Sequence, residues 1–360
     1  MKNTDYKAKY IHIIYRNEVK FSKSLVSFLN EPSVGLSPEQ HMFITPHKKV
    51  YEELKSYGNV FLDTSNKCLI NKYAPLCDWI ICHSFYDFKD VFKIKHKYLK
   101  KILFRYWGGG FGFQYKKGQL LQNLVKIPAN IILKKRFNTF AAIGIAKNVD
   151  KLNLENSLKT DRFYHMPYAR LKADEILTDV KNNPPEKDGI INVALYHRGT
   201  KEGNHIEILK KLERFGEKIR VYVPLSYGDE KYIEKVKKYI KENPRDNVII
   251  VDEFMEYGEY VQLINKMDIG IFDCTTSTAL GNITVYVCLQ KKILLNRDGV
   301  IKRAFDEENI PHSFVDELDS ISLEELSEMP SYPEEPDYNL LPVGKAKGMI
   351  AWKKILEDFN

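Results

Sequence analysis

The chain has 360 residues, 44% of them apolar, with five cysteines and a formal net charge of +7. That length exceeds one ordinary core and predicts two domains, with a globular rather than disordered composition. The cysteines form no CxxC pair and no metal-type cluster, so they read as reduced and structural. No apolar run approaches the ~20 residues of a membrane span. The N-terminal stretch has only a short apolar strand, far short of a secretory signal core, which predicts a cytoplasmic protein.

The first half alternates short apolar runs with amphipathic segments. Strands are predicted at Tyr10–Tyr15, His41–Thr45, Val60–Asp63, Trp79–His83, Ile102–Tyr106 and Phe140–Ile145. Helices are predicted between them, at Ser22–Leu29, Lys48–Ser56, Phe88–Tyr98 and Gln119–Arg136. Strands spaced by helices predict a doubly wound, mostly parallel α/β sheet, whose ligands sit at the carboxyl ends of strands. Asn17, Asp63, His83 and Trp107–Gly110 occupy such ends. His83 is of the side-chain type that suits general base work; a lone histidine ending an apolar strand is also an ordinary structural residue. Trp107, Gly108, Gly109 and Gly110, followed by Gly112, carry more glycine than a β-turn requires. They read as a loop that hugs a sugar or a phosphate.

From Val91 to Val149 there is no Asp or Glu, whereas Lys and Arg are frequent. Such a blank points to an anionic partner: nucleic acid, anionic lipid or a phosphorylated substrate. Within it, Gln119–Arg136 is rich in Leu, Ile and Val, is interrupted at Pro128, and is flanked by Lys116, Lys117, Lys134, Lys135 and Arg136. Apolar residues ringed by cations suit a helix resting on an anionic bilayer. A buried helix with charged ends has the same pattern.

The Pro-, Asn- and charge-rich stretch 181–189 is the strongest linker signal. It separates a predicted first domain, residues 1–180, from a second, 190–340, with a final helix in 345–360 that crosses back. In the second domain strands are predicted at Ile190–Tyr196, Ile219–Val223, Val248–Val251, Asp268–Phe272 and Lys292–Asn296. The first strand end carries Arg198, Gly199, Lys201 and Asn204 before a helix, where backbone donors and cations suit a diphosphate. A surface turn explains the same residues, because neither GxGxxG nor the Walker spacing is present. Pro224 and Gly228 bracket the next turn, with Tyr227 placed to stack on a base or simply to pack. Asp252, Glu253 and Glu256 follow the third strand, either to accept ribose hydroxyls or to cap the next helix. Last comes Asp268–Phe272, a loop of Thr275, Thr276, Ser277 and Thr278, then Gly281 and Asn282 before an apolar run containing Thr284. Strand, small-residue loop and helix N-terminus together make an anion site or a plain βα turn.

Val223-Pro-Leu-Ser-Tyr-Gly-Asp-Glu-Lys-Tyr-Ile-Glu-Lys-Val236 resembles the VP-x-x-Y…Y-I-x-x-V segment of glycosyltransferase family 56, the Fuc4NAc (4-acetamido-4,6-dideoxygalactose) transferases, often labelled 4-alpha-L-fucosyltransferases. Met255–Ile264, Met267–Phe272, Leu280–Thr284 and Leu295–Arg297 extend the resemblance, and His83 and Trp107-Gly108 resemble family positions in the first domain. It covers about 190–310 well and the preceding part in patches. The resemblance implies a GT-B fold, two facing Rossmann-like domains with a cleft between them. It implies a hexosyltransferase that takes a dTDP-sugar donor and a polyprenyl-diphosphate-linked saccharide acceptor, in surface polysaccharide synthesis of the enterobacterial common antigen or O-antigen type. The Thr276–Thr278 run replaces a glutamine-rich family loop, which marks it as the place where donor choice differs.

On this basis the second domain is expected to hold the donor through Arg198, Gly199, Asn204, Pro224, Tyr227, Glu256, Ser277, Gly281, Asn282 and Thr284. Helix N-termini and arginine would neutralise the leaving diphosphate without a metal. His83, or failing it Asp63, is the expected base, and Trp107, Gly108, Gly109 and Gly110 the expected acceptor loop. The basic first domain is expected to lie on the cytoplasmic face of the inner membrane. A UDP- or GDP-sugar donor is the nearest alternative, and a non-catalytic sugar- or nucleotide-binding protein an alternative of another class. Nucleic acid is not an expected partner, because the second domain is acidic at Asp252, Glu253, Glu256 and over 316–337.

Overall fold

Period-two alternation of apolar residues, with both phases apolar, produces strands that bury side chains on both faces. In the computed structural model these strands form two separate sheets. The structure describes residues 8–65, 67–85, 87–108, 111–113, 120–155, 157–196, 198–334, 338 and 340–360. Gly109, Gly110, Lys116 and Lys117 lie outside the described residues.

The chain divides into a first unit, Met1–Lys172 with Val343–Asn360, and a second, Ala173–Pro342. In the first unit β1 (Tyr10–Ile14), α1 (Val19–Asn30), β2 (His41–Thr45), α2 (Lys48–Leu54), β3 (Val60–Leu62), α3 (Leu69–Tyr73), β4 (Trp79–His83) and α4 (Lys89–Lys93) come first. They are followed by β5 (Ile102–Arg105), α5 (Leu120–Phe137), β6 (Ala142–Ile145), α6 (Asn148–Glu155) and β7 (Phe163–His165). The seven strands are parallel in the order β3-β2-β1-β4-β5-β6-β7. The chain therefore winds outward from β1 to β3, then restarts beside β1 at β4.

The second unit runs α7 (Ala173–Asn182), β8 (Ile191–Ala194), α8 (His205–Leu212), β9 (Ile219–Pro224), α9 (Glu230–Glu242), β10 (Val248–Val251) and α10 (Tyr257–Lys266). It continues with β11 (Ile269–Phe272), α11 (Leu280–Cys288), β12 (Lys292–Leu295), α12 (Val300–Glu307), β13 (Ser313–Phe314) and α13 (Leu323–Ser327). Its six parallel strands are ordered β10-β9-β8-β11-β12-β13, so the winding reverses between β8 and β11. The division of the chain falls before α7, ahead of the stretch 181–189. That stretch is tied to the second sheet, with Arg220 held by Asp188 and Lys187 by Asp268. Its polarity marks a surface loop leading into β8.

The last helix, α14 (Lys345–Asp358), belongs to the first unit. It packs on the face formed by Tyr10, Phe43, Ile81 and Leu103, while Ile11, Ile13, Ile80 and Cys82 fill the opposite face. Trp352 is fully buried, and its Nε1 donates to Pro167 O at 3.0 Å. Gly348 permits that approach, because a Cβ there would stand 2.4 Å from Ala169 Cβ and 2.8 Å from Phe28 Cζ.

Helix α5 divides its residues unusually. Leu133 and Phe137 enter the core, whereas Leu124, Val125, Ile127, Ile131 and Ile132 are exposed, Val125 by 71%. At 100° per residue those five fall on one side of the helix, opposite the buried pair. Arg136 ties the helix to the segment before it by donating to Val91 O and Ile94 O. Among the described residues, no helix is long and apolar enough to cross a membrane.

Trp352→Ala is expected to destabilise the first unit by about 3–5 kcal/mol, the range for emptying a large aromatic site in a core. Urea unfolding followed by far-UV circular dichroism measures this; a loss under about 1 kcal/mol would show that α14 does not anchor the sheet.

Candidate active site

In open parallel sheets ligands bind beyond the strand carboxyl ends where the strand order reverses. The first sheet has that point between β1 and β4, and the second between β8 and β11.

Below the first reversal point lies a row of histidines. Alternation along β2, β1 and β4 puts His41, His12 and His83 on the face covered by α14, and all three are buried. Trp107 Nε1 donates to Tyr168 Oη at 2.7 Å, and Tyr168 Oη lies 2.9 Å from His83 Nδ1. His83 Nε2 is 2.9 Å from His12 Nδ1, and His12 Nε2 is 2.8 Å from His41 Nδ1. His41 Nε2 ends the row at Leu36 O, 3.2 Å away. A carbonyl only accepts, so His41 carries its proton on Nε2, and its Nδ1 must accept from His12 Nε2–H. The same logic gives His83 an Nε2–H bonded to His12 Nδ1, and makes the Tyr168 hydroxyl the donor to His83 Nδ1. With the three rings neutral, every tautomer is thus set.

Burial is the main reason they stay neutral. It lowers His83 to about 3, with Arg105 adding to the effect, and His41 to about 4. His12 is lowered well below the ordinary value by burial and then by its two neighbours. The ring of His83, the expected general base, is 1% exposed and both its nitrogens are engaged. The alternative, Asp63, is also committed. Its Oδ2 accepts from Lys72 Nζ at 2.6 Å and Tyr73 Oη at 2.8 Å, and Oδ1 from Ser65 N at 3.0 Å. Despite burial, those bonds hold its carboxyl well below the usual range, so it fixes the β3–α3 turn instead of taking protons.

Above the row, a cavity of ≈ 390 Å³ opens at the reversal point, lined by Arg16 after β1, Ser84, Phe85 and Asp87 after β4, and Trp107 and Gly108 after β5. Trp107 is half-buried with the Arg16 guanidinium 5.4 Å from its ring centre and Phe21 edge-on at 4.9 Å. Arg16 Nε is buried with no hydrogen-bond partner, Glu18 Oε1 lying 3.8 Å off. Gly108 has φ +81°, a conformation that favours glycine. The loop containing Trp107 and Gly108 thus does stand at a ligand edge. Asn17, three residues past β1, is exposed.

At the second reversal point the loop after β8 carries Arg198, Gly199 and Asn204, and the loop after β11 carries Ser277 and the start of α11. Asp273 clamps the two: Oδ2 accepts from Asn204 Nδ2 at 2.9 Å and Oδ1 from Asn296 Nδ2 at 2.7 Å. Tyr196 Oη donates to Thr278 Oγ1 at 2.8 Å, and Ser277 is buried. Ala279 enters α11 with φ +63° and supplies no side-chain cap to this nine-residue helix. Gly281 is exposed, and a Cβ there would meet nothing within 4 Å; Asn282 is half-buried beside it. Arg198 pairs with Glu202 through Nη2 at 3.0 Å, while its Nε is buried without a partner. An uncapped helix N-terminus, an arginine with an unspent donor and small neighbours suit a diphosphate.

Other expected donor residues have structural duties. Gly199 N–H donates to Tyr227 O and Asp229 N–H to Gly199 O, both at 2.9 Å. A Cβ on Gly199 would meet Ile233 Cγ1 at 2.2 Å, and one on Gly228, at φ +148°, would meet Gly199 O at 2.3 Å. These glycines let two loops zip together, a structural duty for Gly199. Glu256 precedes α10, and its backbone N–H donates to Glu259 Oε2 at 3.0 Å. Thr284 is buried with Oγ1 donating to Gly281 O at 3.2 Å, and Pro224 is buried in β9 opposite Val251. Tyr227 is 43% exposed, enough for its ring to lie against a ligand. Two residues that the sequence does not mark, Asp273 and Arg16, prove central to the two edges. A polar residue just past a strand end is the available signal.

Lowered histidine pKa values fix the sign of a pH effect. The unfolded rings take protons near 6.5 and the folded ones only near 4 or below, so the contribution is complete above 6.5 and is lost as pH falls through that window. Each such ring steepens the loss by about 1.4 kcal/mol per pH unit. At about pH 5.5, between the two ranges, long-range ¹H–¹⁵N spectra should show His12, His41 and His83 as neutral Nε2–H tautomers; an imidazolium at any of the three would overturn this assignment.

Comparison with known proteins agrees with this geometry. A family model described as 4-alpha-L-fucosyltransferase glycosyl transferase group 56 matches residues 100–330. A glycosyltransferase from Rickettsia africae ESF-5 is similar in structure, with TM-score 0.56 and 14% identity over 98% of this chain and 94% of that one. Anabaena HepE in complex with UDP-glucose gives TM-score 0.61 and 8% identity over 97% and 99%. A UDP-forming trehalose-phosphate synthase from Burkholderia xenovorans gives 0.57 and 10% over 98% of each. At these identities the structural likeness establishes the fold, GT-B.

Proposed function

The chain belongs to the 4-alpha-L-fucosyltransferase family, glycosyl transferase group 56, and is a glycosyltransferase; from that premise we propose that it transfers a deoxy amino sugar of the Fuc4NAc type from a dTDP-sugar to a polyprenyl-diphosphate-linked saccharide in surface polysaccharide synthesis. The observations that carry the donor half are the uncapped N-terminus of α11, after β11, and Arg198, after the neighbouring β8, whose buried Nε lacks a hydrogen-bond partner. A leaving nucleoside diphosphate gains negative charge as the sugar departs, and fixed N–H dipoles with a guanidinium stabilise it without reorganising. Those groups supply the charge, so transfer is expected to survive EDTA. Ser277, Gly281 and Asn282 form the rim, and Tyr227 lies against the base. The structurally similar HepE holds UDP-glucose, which keeps a UDP-sugar as the second reading.

The exposed face of α5 supports the membrane half of the reading. Five large aliphatic side chains face outward, with Lys135 on the same helix and Lys93, Lys95, Lys97 and Lys100 exposed on the preceding segment. No acidic residue lies between Val91 and Val149 to oppose an anionic surface. Each such lysine contributes about 1 kcal/mol next to anionic lipid, and the aliphatic face adds burial in the interface. A lipid-diphosphate acceptor would meet the enzyme there.

A thermal-shift screen of dTDP, UDP, GDP and CMP tests the donor. Selective stabilisation by dTDP is expected, about 2.7 kcal/mol at a hundredfold excess over Kd. Stabilisation by UDP alone would select the second reading, and binding without turnover of any nucleotide sugar would select a non-catalytic binding protein. Flotation with vesicles containing anionic lipid tests the membrane. Val125→Asp with Ile132→Asp should abolish flotation and leave the nucleotide shift unchanged; co-flotation of the double variant at physiological salt would remove α5 from the reading.

A further inference from the structure

We propose that Asp87 is the general base of the transfer reaction, acting on an acceptor sugar seated in the cavity at the first sheet's reversal point. This rests on the transferase reading above. The cavity has ≈ 390 Å³, within the usual span of small-molecule sites, roughly 300–1,000 Å³. Among the described residues its lining includes one carboxylate, Asp87, and one cation, Arg16. The half-buried indole of Trp107 supplies an apolar wall, locked by its bond to Tyr168 and by Arg16 over its ring. A saccharide needs this combination: a flat apolar surface for its C–H face and few, placed polar groups for its hydroxyls.

Asp87 is the carboxylate in the cavity with an oxygen free of hydrogen bonds. His83 and Asp63 have their acceptor atoms in use, as described. Asp87 Oδ1 accepts from Lys89 N at 2.9 Å, and Oδ2 lies 3.7 Å from Lys89 Nζ, beyond hydrogen-bond reach. Its side chain is 44% exposed, which leaves lone pairs open. It also stands beyond the end of β4, at the edge where the winding reverses, and not down on the covered face of the sheet. Arg16, after β1, lines the same cavity and brings its guanidinium charge to the oxygens of that sugar.

In the step, an Asp87 oxygen takes the proton of the acceptor hydroxyl as that oxygen bonds to the donor's anomeric carbon. The bond from that carbon to the phosphate oxygen breaks, and its electron pair leaves on the nucleoside diphosphate. The anomeric configuration inverts.

Asp87→Asn tests this cleanly, because an asparagine oxygen can keep the bond to Lys89 N but cannot serve as base. Steady-state transfer from dTDP-, UDP- and GDP-sugars to a lipid-diphosphate saccharide is measured for the wild type, Asp87→Asn and Asp87→Glu, alongside the thermal midpoint and nucleotide shift of each. We expect kcat to fall about 10²–10⁴-fold in Asp87→Asn with acceptor KM within about threefold, partial recovery in Asp87→Glu, and unchanged midpoints and nucleotide shifts. Transfer by Asp87→Asn within about threefold of wild type, a rise in KM alone, or a product of retained configuration would each overturn the base and leave the transferase reading standing. No transfer by the wild-type chain from any donor sinks that reading, and the base with it.

Discussion

The hydrogen-bond row from Trp107 to Leu36 takes its direction from one carbonyl at its far end. Because Leu36 O can only accept, each imidazole in turn must donate through Nε2, and the Tyr168 hydroxyl must donate to His83 while accepting from the indole. The row crosses β2, β1 and β4, the three strands on which the first sheet reverses its winding. It therefore cross-links the middle of that sheet and fixes the aromatic wall at its edge with one set of bonds. Adding a proton would reverse or break this direction and place a charge inside a dry layer, where burial disfavours it. Arg105 reinforces this from β5: its Nε bonds Met166 O at 2.5 Å, its guanidinium lies 5.0 Å from the Tyr168 ring centre, and its charge opposes protonation of His83.

The second sheet solves the same structural problem with a charge. Asp273 gathers one amide from the loop after β8 and another from the loop after β12, on either side of its own strand. That occupies both of its oxygens and leaves the start of α11 without a capping side chain. The glycine pair works one strand further out, where Gly199 and Gly228 bring the loops after β8 and β9 into backbone contact. The first sheet thus spends side chains on rigidity and keeps a cavity; the second ties its loops together beside an uncapped helix start, the feature an anion needs.

The strand pattern is legible because apolar alternation with both phases filled leaves few readings other than a doubly covered parallel sheet. His41–Thr45 and Trp79–His83 come out with the boundaries read from the sequence. What escapes is short or locally determined. β7 and β13 have three and two residues, too few to show a period. α3 has five residues and relies on burying Leu69, Ile70 and Tyr73, a tertiary effect that propensity does not report. Glycines mislead for a different reason. A glycine at a turn reports that something comes close, and the sequence cannot distinguish a phosphate from another loop. The departure of Thr276–Thr278 from the glutamine-rich family text is structurally absorbed in part, since Thr278 bonds Tyr196 and Ser277 is buried.

Position along the strand end separates structural from chemical residues here more sharply than residue type does. His83 is the last residue of β4, paired with Ile14 and facing the layer under α14, so its side chain belongs to the core even though its chemistry suggests otherwise. Asp63 directly follows β3 and is likewise buried, spent on Lys72 and Tyr73. Arg16 and Asp87 lie further along their loops, past the last ladder hydrogen bonds, where the chain has left the covered layer and side chains meet open volume. Burial in a low-dielectric layer takes the proton-accepting range of an imidazole away from neutrality. A functional acid–base group at the edge of a doubly covered sheet must therefore stand beyond the strand itself, as Asp87 does where it lines the cavity.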